Sequence, residues 1–169
     1  MTEKGRLIMV VGLPGTGKTT FSKLLSDTIG AHHLNTDKIR DQLKLRGKYD
    51  DATKQMVYSK LKEHTAILLS KGATVIVDGT LYKKRLRDAF SELVMQLELP
   101  TNWIELQAQE KVIKKRVASK RTFSEADFSV YQLIKANYEP LEGEYLVLQS
   151  DELDHVEMVV RAMKYLLER

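Results

Sequence analysis

The sequence predicts an α/β fold in which helices cover both faces of a parallel sheet. Short apolar runs alternate with longer amphipathic segments along the chain. More than ten residues connect successive apolar runs, as parallel strands require. The first run, from Leu7 to Val11, is apolar without interruption, which is typical of a strand buried on both faces. These three observations together favour a layered α/β architecture over an all-helical or all-strand one.

The predicted elements begin with a strand from Arg6 to Val11, which Gly12 ends. A helix follows, because Phe21, Leu25 and Ile29 recur at helical spacing before Gly30. The remaining pattern predicts, in order, a weak strand at 32–34, helices at 38–45 and 53–70, a strand at 73–77, a helix at 81–97, a strand at 102–106, helices at 110–121 and 125–138, a strand at 144–148 and a helix at 153–167.

Composition limits the classes of protein to which the chain can belong. Of its 169 residues 43% are hydrophobic and 30% are charged, with nine Gly and three Pro, which excludes low-complexity and disordered classes. The chain has no Cys, so it has no disulfide scaffold, thiolate metal site or cysteine nucleophile. We expect one domain over 1–169 that is soluble, cytoplasmic and away from membranes, since no early apolar run is long enough for a span or a signal peptide.

Charge is distributed unevenly along the chain. Residues 1–121 hold 23 Lys and Arg against 13 Asp and Glu, whereas residues 122–169 hold 4 against 10. We therefore expect the basic part to bind an anion, either a nucleotide with a phosphate-bearing acceptor or a nucleic acid.

Residues 12–19 read Gly-Leu-Pro-Gly-Thr-Gly-Lys-Thr and match the phosphate-binding motif G-x-x-x-x-G-K-[ST]. The match lies between a predicted strand and a predicted helix, as the motif requires; the alternative is a Gly-rich turn with no ligand. The glycines let backbone N–H groups face phosphate oxygens at the helix N-terminus. Lys18 is expected to reach the β- and γ-phosphates of ATP, and Thr19 to ligate Mg²⁺. The predicted cofactor-binding residues here are Gly12, Pro14, Gly15, Thr16, Gly17, Lys18, Thr19 and Thr20.

A GTPase switch is disfavoured by the rest of the sequence. No Asn is followed by Lys, so the guanine-reading Asn-Lys-x-Asp is absent. The Asp-x-x-Gly at 27–30 ends a helix instead of following a strand.

Two carboxylates follow predicted strands and so should reach the carboxyl edge of the sheet, where ligands bind in such folds. Asp37 is the candidate base that accepts the proton of an incoming hydroxyl, and Arg40 could clamp an anionic group of that acceptor. The alternative role of Asp37 is to cap its helix. Asp78 is a candidate for Mg²⁺ or acceptor binding, with turn formation before Gly79 as the alternative. Thr80 serves either as a helix N-cap or as an acceptor contact.

Basic residues at two helices complete the candidate site. Four cations fall within 83–87, at a helix start where the macrodipole disfavours them, so Arg87 is a candidate for an anionic acceptor, against simple solvation. The basic helix at 110–121 supplies Arg116 and Arg121, which could close over the transferring phosphoryl group as part of a lid over about 111–130. Arg121 is also a predicted cofactor-binding residue. The alternative is a solvated cationic face. The four histidines show no metal-ligand spacing, and we assign them no metal.

The sequence resembles the P-loop kinases of the nucleoside, shikimate and gluconate kinase type, and most of all small kinases related to polynucleotide 5′-hydroxyl kinases. The likeness rests on residues 12–19, on Asn35-Thr36-Asp37-Lys38-Ile39-Arg40, on 75–80, on 115–121 and on 124–127 with Tyr131 and Pro140. It implies a P-loop NTPase three-layer α/β/α sandwich with a five-stranded parallel sheet in the order 2-3-1-4-5 and a helical lid. By the same resemblance Asp37 activates the acceptor, Arg40 binds it and Arg116 touches the triphosphate.

The sequence thus predicts an ATP- and Mg²⁺-dependent phosphotransferase with Lys18, Asp37 and Arg116 as catalytic residues. The acceptor is a nucleoside, a nucleotide or a polynucleotide 5′-hydroxyl, or else another small metabolite such as a sugar, shikimate-like or antibiotic hydroxyl. Variable segments such as 43–70 build that pocket. The alternatives from other classes are an ATP-dependent binding or switch protein and a non-catalytic nucleic-acid binder. The protein is expected to be a monomer or a homodimer.

Overall fold

The computed structural model of the chain describes residues 4–119 and 128–169. Within those ranges the chain forms five strands and seven helices. In chain order they are β1 (Arg6–Val11), α1 (Lys18–Ile29), β2 (His32–Asn35), α2 (Thr36–Gln42), α3 (Asp51–Ser70), β3 (Thr74–Asp78), α4 (Lys84–Gln96), β4 (Thr101–Gln107), α5 (Glu110–Ala118), α6 (Phe128–Ala136), β5 (Leu146–Gln149) and α7 (His155–Leu167).

The five strands form one parallel sheet in the order β2-β3-β1-β4-β5, which confirms the predicted fold. β1 is central and its side chains alternate between two cores. Leu7, Met9 and Val11 join one core with residues of α2, α3 and α4. Ile8 and Val10 join the other with residues of α1 and α7. Burial on both faces explains why this strand reads as an uninterrupted apolar run.

The parallel register brings the carboxyl ends of three strands to one edge. Asn35 at the end of β2 lies opposite Asp78 at the end of β3, and Asp78 lies opposite Val10 of β1. The phosphate-binding motif therefore starts directly beside these polar strand ends.

Two helices begin two residues earlier than the apolar pattern predicted, because polar side chains cap their N-termini. Asn35 accepts a hydrogen bond from the backbone N–H of Lys38, so α2 begins at Thr36. Asp50 caps the N–H of Thr53 in the same way, and α3 begins at Asp51. The helix predicted from 81 begins only at Lys84, because Leu81 has a positive φ of 44°. The basic helix ends at Ala118, not at 121, since Ser119 is extended.

Across the described residues, no helix has both the length and the apolar character that crossing a membrane would require.

Gly12 allows the backbone at the end of β1 to pass close to the backbone of β4 as the phosphate loop begins. Its φ is +148°, and a Cβ at this position would lie 2.4 Å from the carbonyl oxygen of Leu106. Because both sides of this contact are backbone, no flexible group is available to move away.

We predict that Gly12→Ala lowers the free energy of unfolding by about 1–3 kcal/mol more than Gly143→Ala, because only position 12 adds an overpacking clash to the strain. Gly143 also has a positive φ, but a Cβ added there would have no atom within 4 Å, so it controls for conformational strain alone. Urea unfolding measures both variants. Equal losses for the two would show that close approach to Leu106 is not the constraint.

Candidate functional site

A cavity of about 680 Å³ lies at the carboxyl edge of the sheet. It joins the phosphate loop to the start of α2, to α3 and to the segment after β3. Its lining residues are Pro14, Gly15, Gly17, Lys18, Thr19, Thr20, Thr36, Asp37, Arg40, Tyr49, Lys54, Tyr58, Asp78, Gly79, Thr80, Tyr82, Arg116, Val130, Leu133, Ile134, Ser150, His155 and Met158. The volume lies within the range of small-molecule sites.

The phosphate loop is held in shape by bonds within itself. Gly15 and Gly17 have φ values of +83° and +89°, which glycine adopts without strain. The Lys18 ammonium donates to the carbonyl of Leu13 over 3.0 Å, and the Thr16 hydroxyl donates to the same carbonyl over 2.8 Å. Thr16 is buried.

Of the eight residues in and next to the phosphate loop that were predicted to bind nucleotide, six line the cavity. They are Pro14, Gly15, Gly17, Lys18, Thr19 and Thr20. Gly12 and Thr16 do not line it. The geometry gives these two residues a supporting role, since Gly12 permits contact with β4 and the Thr16 side chain bonds the loop backbone.

Thr19 and Asp78 meet beside the loop. The Thr19 hydroxyl lies 3.4 Å from Oδ1 of Asp78. A hydroxyl and a carboxylate oxygen fit Mg²⁺, which uses one or two protein oxygens and completes its octahedron with phosphate oxygens and water. In the described part of the chain, no group of three or more His, Cys, Asp or Glu forms a metal cluster. The two oxygens of Thr19 and Asp78 could therefore hold a magnesium ion that takes its other ligands from phosphate and water.

Asp78 is held from its other side by β2. Its Oδ2 lies 2.5 Å from Nε2 of His33 and 3.4 Å from Nδ2 of Asn35. Nothing in the sequence pattern placed His33 in a site, because the histidines have no metal-ligand spacing. The signal that could have found it is strand alternation, which places His33 and Asn35 on one face of β2.

Asp37 and Arg40 lie together in the cavity, as predicted from their helical spacing. Nη1 of Arg40 is 3.8 Å from Oδ1 of Asp37, too long for a hydrogen bond. Burial raises the pKa of Asp37 to about 6, although the cations of Arg40 and Lys18 act in the opposite direction. A carboxyl with this pKa is ionised near neutral pH and is a stronger base than an exposed aspartate.

Cations and aromatic rings form the wall of the cavity away from the phosphate loop. The Arg40 guanidinium lies 4.7 Å from the ring centre of Tyr49, and the Lys54 ammonium lies 5.7 Å from that of Tyr82. The Arg40 side chain is only 9% exposed, and its Nε has no hydrogen-bond partner among the described residues. No motif or pattern in the sequence marked Lys54 or Tyr82 as part of a site, because each is of a residue type that is common on the surface of such segments.

Arg116 of α5 reaches the phosphate loop. Its Nη1 donates to the carbonyl of Gly15 and to the hydroxyl of Ser150, and its Nη2 donates to the carbonyl of Ser150. The guanidinium therefore connects the loop to the segment after β5. Arg121 lies outside the described residues, as does much of the predicted lid over 111–130.

The structure does not bring Arg87 to the cavity, and its predicted role in acceptor binding does not fit this position. Its side chain is buried and donates to the carbonyls of Leu81 and Pro140. The neighbouring cations are paired on the surface, Lys83 with Glu139 and Lys84 with Asp88. The charge cluster thus reflects one structural arginine and solvated lysines. Thr80, in contrast, lines the cavity.

A parallel sheet in this strand order, with a G-x-x-x-x-G-K-T loop between β1 and α1, defines a P-loop nucleotide-binding fold. The chain belongs to the AAA domain family, whose model matches residues 7–141. The predicted relation to P-loop kinase-like proteins is confirmed at this level.

Curated relatives include proteins Mb2027c of Mycobacterium bovis and Rv2004c of Mycobacterium tuberculosis. Each is 33% identical over an alignment of 87 residues, and the match covers 44% of this chain and 18% of the relative. The matched region therefore spans about a fifth of those longer proteins.

Solved structures of kinases share the fold. A sugar kinase from Janibacter sp. HTCC2649 has a TM-score of 0.75 at 23% identity, with 96% of this chain and 94% of that chain covered. A gluconokinase from Sinorhizobium meliloti 1021 has a TM-score of 0.74 at 19% identity, covering 99% and 94%. The Mycobacterium tuberculosis APS kinase CysC in complex with AMPPNP and APS has a TM-score of 0.76 at 16% identity, covering 98% and 99%. At these identities the likeness shows the fold.

We predict that Arg87→Met lowers the free energy of unfolding by about 2 kcal/mol, because two carbonyls lose a charged donor. Nucleotide binding should stay unchanged. Arg85→Met, at an exposed position of the same helix, is the control. Thermal unfolding with and without ATP measures both effects. A stable Arg87→Met protein with weakened ligand binding would contradict the structural assignment.

Proposed function

We propose that the protein is a Mg²⁺- and ATP-dependent phosphotransferase that moves the γ-phosphoryl group of ATP to a hydroxyl group. The observation that carries the proposal is the shared cavity, in which the phosphate loop, Thr19 and Asp78 face the same space as Asp37 and Arg40. A nucleotide on the loop and an alcohol beside Asp37 would then lie next to each other, as in-line transfer requires.

In this mechanism the protein positions the reactants and neutralises charge. Lys18 binds phosphate oxygens, and Asp37 orients the acceptor hydroxyl and takes its proton. The acceptor oxygen forms a bond to the γ-phosphorus as the bond to the bridging oxygen breaks and ADP leaves. Thr19 and Asp78 would hold magnesium, which would supply charge neutralisation when bound. Arg116 is the candidate for stabilising charge on the transferred group, since it already reaches the loop at Gly15.

The wall around Arg40 and Lys54 supports an acceptor that carries an anion and a ring. Arg40 keeps one buried donor without a hydrogen-bond partner among the described residues, and Lys54 adds a second positive charge to the cavity lining. Tyr49 and Tyr82 offer ring faces beside these cations. A nucleotide or a polynucleotide 5′-hydroxyl combines both features, and a nucleoside supplies the ring alone. Sugar and gluconate acceptors, named for two of the fold neighbours, are the alternative acceptor class.

A second candidate function is an ATP-dependent binding or switch protein that phosphorylates no acceptor. The observation in its favour is the Arg116 bridge, because it connects the phosphate loop to α5 and to Ser150. Occupancy of the loop would then be transmitted to a helix that a partner could read. This function predicts a partner that binds the ATP-loaded form alone.

We predict that the protein transfers label from γ-labelled ATP to at least one member of a panel of nucleosides, 5′-hydroxyl oligonucleotides, sugars and sugar acids. Lys18→Ala should slow transfer about a hundredfold, equivalent to about 3 kcal/mol, because the ammonium that stabilises negative charge on the transferring group is lost. Lys23→Ala, an exposed lysine of α1 paired with Asp27, should transfer normally. ATP-dependent partner binding without a labelled product would support the switch function instead.

We predict that the rate of transfer rises with pH through a limb near pH 6, because burial raises the pKa of Asp37 to about 6 and only the ionised form accepts a proton. Asp37→Asn should remove this limb and lower turnover about a hundredfold or more, with ATP affinity retained. Asp41→Asn is the matched control, since Asp41 lies on the same helix but is exposed and paired with Arg46. A limb near pH 4, or equal losses of turnover and ATP affinity, would contradict the assignment.

A further inference from the structure

His33 is buried against Asp78 at the edge of the candidate site. The two side chains are 6% and 4% exposed, and Nε2 of His33 lies 2.5 Å from Oδ2 of Asp78. A buried polar contact of this kind fixes the rotamers of both partners. Breaking it would leave a carboxylate oxygen and a ring nitrogen buried without a hydrogen-bond partner.

The partners of His33 differ at its two ring nitrogens. The Asp78 carboxylate only accepts hydrogen bonds, so Nε2 of His33 is the donor in their contact. On the other side of the ring, the Lys38 ammonium lies 3.5 Å from Nδ1. The imidazole thus acts as a bridge between α2 and the end of β3.

The hydrogen bonds divide the two carboxylate oxygens of Asp78 between different partners. Oδ2 faces His33 and Asn35, both from β2, while Oδ1 faces the hydroxyl of Thr19. The strand register produces this division, since Asn35 pairs directly with Asp78 and His33 lies two residues earlier on the same face. Rotation of the carboxylate would break the short bond to His33.

We propose that His33 is a positioning residue that holds Asp78 with Oδ1 turned toward Thr19, and so prepares the cation-binding pair of the phosphate site. The inference rests on the proposed function for the identity of that cation. His33 itself is not among the residues that line the cavity, and it contacts the site through Asp78. Its effect would pass through the orientation of Asp78, as partners behind metal ligands act in other sites.

The alternative to this proposal is that His33 only fills space in the sheet. A packing role depends on volume, whereas a positioning role depends on a donor at the Nε2 position. Glutamine can place an amide N–H near that position, leucine preserves bulk without a donor, and asparagine is too short to reach it.

The test measures binding of Mn²⁺ in place of Mg²⁺ by electron paramagnetic resonance, with a non-hydrolysable ATP analogue present and no acceptor. His33→Leu and His33→Asn should raise the Kd for Mn²⁺ about tenfold, while His33→Gln should stay within about threefold of the original protein. Metal-free binding of the analogue should be equal in all variants. His32→Leu is the control, because His32 is adjacent but exposed.

Three outcomes would overturn the proposal: unchanged Mn²⁺ affinity in a folded His33→Leu or His33→Asn protein, equal losses in the glutamine and asparagine variants, or no analogue-dependent Mn²⁺ binding in the original protein. The comparison of glutamine with asparagine keeps the test decisive should the leucine variant fail to fold. Failure of label transfer with normal Mn²⁺ binding would instead overturn the proposed function and leave the role of His33 standing.

Discussion

The parallel register of β2, β3 and β1 is the constraint on which the candidate site depends. It sets Asn35 level with Asp78, and Asp78 level with Val10, two residues before the phosphate loop. Because all three strands run the same way, their polar ends collect at one edge while their apolar bodies remain in two cores. A shift of one residue in β2 would turn Asn35 away from Asp78 and expose its apolar neighbour.

The two carboxylates at this edge have different surroundings, and these surroundings suit different tasks. Asp78 is tied on both oxygens by β2 and by Thr19, so its geometry is fixed. Asp37 lies in the first turn of α2 and makes no hydrogen bond to Arg40. Burial is the main cause of its raised pKa. One carboxylate is thereby suited to holding a cation in place and the other to exchanging a proton.

Sequence patterns were sufficient for the fold and for the phosphate loop, because both depend on local order: an apolar strand, a glycine-rich turn and a helix. Asp37 and Asp78 were predicted to reach the carboxyl edge of the sheet because each follows a strand, and both line the cavity. Arg87 was predicted to bind the acceptor but does not line the cavity, because charge clustering in a sequence cannot distinguish a buried arginine bonded to carbonyls from one that faces a ligand. His33 was missed, since its partner lies 45 residues away on another strand.

Gly15 lies where α5 rests on the phosphate loop. A Cβ there would come within 2.9 Å of Ile113 and 3.0 Å of Val117, and the carbonyl of the same residue accepts the Arg116 hydrogen bond. Bulk at position 15 would therefore wedge the helix outward and pull the guanidinium off its acceptor. In a library of variants, position 15 should therefore remain glycine even when residues 113 and 117 become smaller, because its φ of +83° strains any other side chain whatever the space around it.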